Sequence, residues 1–295
     1  MTINMWCDPF KSIIRQDEPL AMHTWFQTGG MAEYYAQPET QAQAAELVAA
    51  ASDAGIPIRL LGEGSNVLIR NDGVSGLVIS LDSPAFKEIV VEGNCIKAGA
   101  AARLGRVVTT AVHAGLAGLE DFIGVPGSVG GALHVHVAAN MTKISRCLKS
   151  TLEMDFQGKI FDKTSEELAA TYQDKSLNSL IILETLFELE PDDPKALAQQ
   201  MQKRWILKKS QQPMSFQCCG RIFKSPTGAS AGELIDRAGL KGARIGGAVI
   251  SERHANYIIA EPECSSEDII RLIDLVRDQV HKRTDVLLDL DLEIW

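Results

Sequence analysis

The sequence is short of several features that settle a function early. Aromatic residues are scarce, 6% of 295 positions, and no apolar run approaches the roughly 20 residues that a membrane-spanning helix needs. No self-similar period of about 20–50 residues is visible, which excludes solenoids and propellers. Basic residues are in deficit, 29 Lys and Arg against 38 Asp and Glu, for a net charge of -9. Such a surface argues against broad binding to nucleic acid or anionic membrane and leaves room for one local basic pocket. The six cysteines, at 7, 95, 147, 218, 219 and 264, show no CxxC spacing, and adjacent cysteines rarely bridge each other. No metal is therefore expected. The first 22 residues carry Asp8, Asp17 and Glu18 and no apolar core, so they do not read as a signal peptide. A cytoplasmic protein with reduced thiols is the expectation.

What is present is average for a folded chain: 45% hydrophobic, 23% charged, 24 Gly and 11 Pro. At about 150 residues per domain, two domains are expected. Apolar periodicity predicts helices over 40–54, 103–114, 192–209 and 230–238, and one beginning at Ser265. Short strands are predicted on either side of the turn at 62–66, then at 76–81, 88–93, 95–100, 148–162 and 180–190, with further ones at 248–250, 255–260 and 285–295. Residues 214–226 read as extended, and 118–132 as too rich in glycine for a regular element. Strands dominate before Pro191-Asp192-Asp193-Pro194 and helices flank strands after it, which predicts an α+β fold divided between 190 and 191.

Two glycine-rich segments have the chemistry of a phosphate cradle. Gly62-Glu63-Gly64-Ser65-Asn66 lies between apolar runs, so its backbone N–H groups are free to turn toward an anion, with Ser65 and Asn66 as extra donors. Gly124-Val125-Pro126-Gly127-Ser128-Val129-Gly130-Gly131 leaves room for a flat or bulky ligand. Neither is a GxGxxG that opens a helix, nor a GxxxxGK[ST], so the Rossmann and P-loop readings are weak and a pair of tight turns is the alternative.

In order along the chain stand HTWFQTGG (23–30), LGEGSNVLI (61–69), GLEDFIGVPGSVGGA (118–132), IFKSP (222–226), AGELIDRAGLKGARIGGAVISERHANYII (231–259) and SSEDIIRLIDLVRDQV (265–280). This series resembles the UDP-N-acetylenolpyruvoylglucosamine reductase (MurB) family from about residue 19 to 295. The resemblance implies an FAD-binding domain of the vanillyl-alcohol-oxidase or PCMH type over 1–190, in two subdomains, followed by a smaller MurB-like substrate domain over 191–295. It implies that Gly62, Glu63, Gly64, Ser65 and Asn66 hold the FAD pyrophosphate, and that Gly124, Pro126, Gly127, Ser128, Val129 and Gly130 line the flavin. The first loop has no histidine, so non-covalent FAD is expected. NADPH is the implied reductant, a UDP-sugar the implied substrate, and a monomer the expected state, with no nucleic-acid or membrane partner.

The family reaction adds a hydride to one carbon of an enolpyruvyl double bond and a proton to the other, so a site needs a proton donor and a clamp for the carboxylate. The resemblance departs at those positions. Gln173, in Tyr172-Gln173-Asp174-Lys175, stands where the family has an arginine, and Lys175 is a nearby cation. Arg221 stands where the family has a serine or cysteine donor, and a guanidinium is no acid near neutral pH. Asp291 takes the place of a glutamate. Alternation on an extended strand puts Cys219 on the face of Arg221, which makes its thiol a candidate substitute donor. His134 and His136 are read as sharing a strand face, with a core or loop role favoured over a metal. The implied activity is that of the reductase. The alternatives are a flavin-binding paralogue that has lost this activity and serves as a binding or regulatory module, and a flavoenzyme with another acceptor whose anion Arg221 binds.

Overall fold

The computed structural model describes residues 5–138, 143–168, 180–213 and 217–295. The chain forms two compact units, one of Met1–Gln16, Tyr34–Glu63 and Gly76–Leu207, the other of Asp17–Glu33, Gly64–Ser75 and Lys208–Trp295. The strands of the first half are β1 (Ile14–Pro19), β2 (Met31–Ala36), β3 (Ile58–Leu60), β4 (Val67–Leu68), β5 (Val74–Ile79), β6 (Ile89–Glu92) and β7 (Cys95–Gly99). They are followed by β8 (Leu116–Ala117), β9 (Leu148–Asp155), β10 (Ile160–Thr164), β11 (Leu180–Glu188) and β12 (Glu190–Pro191). The first unit runs past residue 190 because β12 pairs antiparallel with β8.

In the first unit an antiparallel sheet has the order β10-β9-β11-β7-β6; the helix Leu104–His113 packs against its strand β7, and the helix Gln41–Asp53 packs against β3. Thr40 caps the latter helix through its hydroxyl, which accepts from the Gln43 N–H at 3.1 Å. Leu47, Val48, Val107, Val108, Ile96, Phe86 and Phe187 share one buried core. Fully burying each such side chain contributes about 1.5–3 kcal/mol.

The glycine segment gives way to a helix, Val129–Ala138, where the residues read as irregular and then as a strand. A helix repeats every 3.6 residues, so the period of two on which the pairing of His134 with His136 was read does not apply there. The alternation of His and Val imitated a strand, whereas the buried pair Val129 and Leu133, four apart, is the helical signal. Glycine is needed at its start, since a Cβ on Gly130 would stand 3.1 Å from the Ala100 Cβ.

In the second unit the helix Ser266–Thr284 packs against the helix Ala231–Arg237 and against β13 (Arg244–Ile245) and β14 (Ala248–Ile250), whose sheet is completed by β15 (Ile258–Ala260). Ile269, Leu272, Ile273, Val276 and Val280 are buried along one stripe of the longer helix. Its start is a full capping box between Ser265 and Asp268. Ser265→Ala should lower stability by about 1 kcal/mol, read as an earlier urea midpoint. Asp268 also accepts from the Ser265 and Gly247 N–H groups, and these bonds hold its carboxyl below the ordinary 3.8. Its contribution is complete above that value and is lost as pH falls through the lower folded one. Asp268→Asn should therefore flatten the acid limb of the stability profile.

The C-terminus forms less strand than the alternation of 285–295 predicts. Only β16 (Glu293–Ile294) is paired, parallel to β4, after an isolated bridge between Phe223 and Leu290. Residues 217–226 likewise make isolated bridges rather than a ladder.

Candidate functional site

Within the first unit the Gly62-Glu63 end of the first glycine segment meets the second segment. Gly62 lies against the second segment, where an added Cβ would stand 3.1 Å from the Ser128 Oγ. Ser128 is buried, and its Oγ accepts from the Gly131 N–H at 3.3 Å. An antiparallel bridge joins Arg103 to Ser128, fixed by the Leu104 N–H donating to the Gly127 oxygen at 3.0 Å and the Val129 N–H donating to the Ala102 oxygen at 2.9 Å. The Arg103 Nε donates to the Glu63 Oε1 at 2.9 Å. Among the described residues, the N–H groups of 62–66, and those of Gly124, Gly127 and Ser128, donate no hydrogen bond. Backbone donors without protein acceptors are what an anion cradle requires, because an N–H that goes unpaired is costly unless water or a ligand takes it.

In the second unit the strand-like segment 220–224 is held from both sides. On one side the Ile222 N–H donates to the Asn256 oxygen at 3.1 Å, and the buried Asn256 amide clamps Phe223 through its Oδ1 (2.9 Å) and Nδ2 (2.8 Å). On the other, the Asp291 N–H donates to the Ile222 oxygen at 2.9 Å and the Lys224 N–H to the Asp289 oxygen at 2.8 Å. Asn66 turns its side chain inward, where its Nδ2 donates to the Asp291 oxygen at 2.9 Å. Arg221 and Asp291, far apart in sequence, thus sit on neighbouring segments.

The reading of Cys219 as a partner of Arg221 does not survive. The segment does not alternate: Cys218, Cys219, Ile222 and Phe223 are buried, whereas Arg221 is exposed. The Cys219 thiol faces inward, toward the Gly64 and Val67 carbonyl oxygens at 3.8 Å each. Burial and the neighbouring Cys218 push it well above the usual thiol range. Gln173 and Lys175 lie outside the described residues.

Composition and motif spacing did not single out three further side chains, Arg103 beside the glycine segments of the first unit and Tyr257 and His254 near Arg221 in the second. Arg103 carries no sequence signal. Tyr257 and His254 stack edge to face at 4.9 Å between ring centroids, and the charge of Arg221 acts on both. Burial, then Arg221 and Lys241, hold the His254 imidazole below its ordinary 6.5. Burial raises the Tyr257 phenol to about 12, with Arg221 pulling it down and Cys218 and Asp291 pushing it up.

Comparison with known proteins covers both units. Residues 32–162 match the family model described as an FAD binding domain, and residues 212–295 match the C-terminal domain of UDP-N-acetylenolpyruvoylglucosamine reductase. The enzyme of that name from Rhodopirellula baltica is 36% identical over 283 residues, 96% of this chain and 93% of the relative. The one from Lactobacillus delbrueckii is 36% identical over 95% of each chain. The crystal structure of the Thermus caldophilus enzyme matches with a TM-score of 0.79 and 29% identity, covering 96% of this chain and 99% of that one. With both family models matched in order and relatives aligned along almost its whole length, the chain belongs to the UDP-N-acetylenolpyruvoylglucosamine reductase (MurB) family, an FAD-binding domain joined to that family's C-terminal domain.

Proposed function

We propose that this protein is an FAD-dependent, NADPH-using reductase of UDP-N-acetylglucosamine enolpyruvate, acting in the cytoplasm as a monomer in the synthesis of peptidoglycan precursor. The observation that carries the reading is the full-length family match joined to a loop whose N–H groups, at 62–66, have no protein acceptor. The N–H groups of Gly62 and Glu63 together with Ser128 fit a diphosphate, and Gly62, exposed and without a Cβ, lets a ligand lie on the backbone. Cofactor binding is assigned to the FAD-binding domain matched over 32–162 and substrate binding to the C-terminal domain matched over 212–295. Bound FAD supplies hydride chemistry to the enolpyruvyl double bond, with NADPH as the source of electrons.

The chain's own residues divide the remaining work. Arg221 cannot give up a proton near neutral pH, yet its planar fork suits a carboxylate, so it takes the clamp that Gln173 relinquishes. Asp291 keeps the family charge beside it. Protonation of the second carbon is assigned to the Tyr257 hydroxyl, a protic group on the ring that stacks against His254 and on which the charges of Arg221 and Asp291 act. Burial keeps that phenol protonated across the working pH range, as a donor must be before the step.

The test is NADPH oxidation by FAD-loaded protein with and without UDP-N-acetylglucosamine enolpyruvate. Substrate-dependent oxidation at a rate of about 1 per second or faster is expected. FAD-loaded protein that ignores the substrate would overturn the reductase reading. It would favour a flavin-binding paralogue, a reading that Arg221 in the donor position also supports.

A further inference from the structure

We infer that Arg103 is a ligand of the cofactor's diphosphate and that Glu63 is the residue that orients it. The inference rests on the FAD reading above and adds to it a side chain from outside both glycine segments. Arg103 is fixed at its backbone by the bridge to Ser128, so the side chain starts from the edge of the second segment. It then reaches Glu63, between Gly62 and Gly64, and meets it through Nε alone at 2.9 Å. The two terminal nitrogens, with four N–H donors between them, are left for another acceptor. Phosphate oxygens match that fork.

The position of Glu63 makes the pair necessary. A carboxylate inside a loop of free N–H groups repels any incoming diphosphate, and Coulomb repulsion at a few ångströms is substantial even at the protein surface. Pairing with Arg103 cancels that charge. Glu63 also fixes the guanidinium plane: its side chain is 22% exposed, whereas that of Arg103 is 75% exposed and would otherwise sample many rotamers. Removing Glu63 therefore has two opposite effects, loss of orientation and loss of repulsion. Which one dominates depends on whether Arg103 is present.

That dependence is the test. FAD-stripped protein is titrated with FAD, the quenching of flavin fluorescence reporting the dissociation constant, and the melting temperatures of the stripped variants confirm folding. Arg103→Ala should weaken FAD binding about tenfold to hundredfold, with Arg103→Lys falling between it and the parent. Glu63→Ala should weaken binding in the parent background and strengthen it in the Arg103→Ala background. An Arg103→Ala affinity within about twofold of the parent would overturn the inference, as would a Glu63→Ala variant that binds more tightly in both backgrounds. If the parent protein itself takes up no FAD, the cofactor reading fails and this inference falls with it. Parent binding with an unresponsive Arg103 sinks this inference alone.

Discussion

Replacing Tyr257 by phenylalanine should slow reduction of the enolpyruvyl substrate by about 10²–10⁴-fold, while reduction of bound FAD by NADPH proceeds unchanged. The substitution removes one oxygen and leaves the ring, so the edge-to-face contact with His254 at 4.9 Å stays in place. The backbone around it is untouched, since its N–H donates to the His254 oxygen at 3.1 Å and its carbonyl accepts from the Ser251 N–H at 2.9 Å. What is lost is a proton held at about 12 by burial. A carbon that has just gained negative charge next to a carboxylate is a far stronger base than a phenolate of that value, so transfer runs downhill. The phenolate left behind is stabilised by the Arg221 charge, which pulls the same phenol in that direction. Stopped-flow absorbance separates the two halves of the reaction. A Tyr257→Phe rate within about tenfold of the parent would remove Tyr257 from the donor role. Arg221→Ser supplies the complementary arm, because a faster enzyme would mark Arg221 as an obstruction and overturn its assignment to the carboxylate.

The parts of the fold legible in the sequence are those written in local chemistry. A serine at 265 or 266 followed by acidic residues announces a helix start, and the structure settles the cap on Ser265, which closes a capping box with Asp268. The two glycine segments were legible for the same reason, since small residues between apolar runs permit few other conformations. What stayed hidden depends on contacts between distant residues. Arg103 is an ordinary arginine at the head of a helix until the bridge to Ser128 carries it to Glu63. Cys219 was misread because alternation presumes a ladder, whereas 217–226 is held by isolated bridges and the Asn256 clamp, which bury consecutive residues. His134 and His136 show the converse error: a period of two arose by chance on a helix whose register is set by Val129 and Leu133.

Substituting alanine at Gly64 should be the most damaging single change in the glycine loops, and it separates two glycines that the sequence treats alike. Gly64 has φ +64, which costs an ordinary residue about 1–3 kcal/mol. Its added Cβ would fall 2.2 Å from the His23 oxygen and 2.7 Å from the Thr24 Cα, backbone atoms that cannot swing aside. The Trp25 N–H donates to the Gly64 oxygen at 3.0 Å, so displacing either segment breaks that bond as well. Overpacking adds about 1–3 kcal/mol, and the combined loss is a large part of the roughly 5–15 kcal/mol that holds a domain folded. Gly62 differs on each count: its φ is not in the left-handed region, and its Cβ would meet only the Ser128 hydroxyl, at 3.1 Å. Gly62→Ala should therefore leave the urea midpoint nearly unchanged and weaken FAD binding. Gly55→Ala isolates the backbone cost, since Gly55 has φ +67 and nothing within 4 Å of an added Cβ. The expected order of destabilisation is Gly64, then Gly55, then Gly62, measured by urea denaturation. If Gly64→Ala proves no worse than Gly55→Ala, the close approach to His23 and Thr24 does not constrain the loop, and Gly64 returns to Gly62 as a residue conserving space for the ligand rather than the fold.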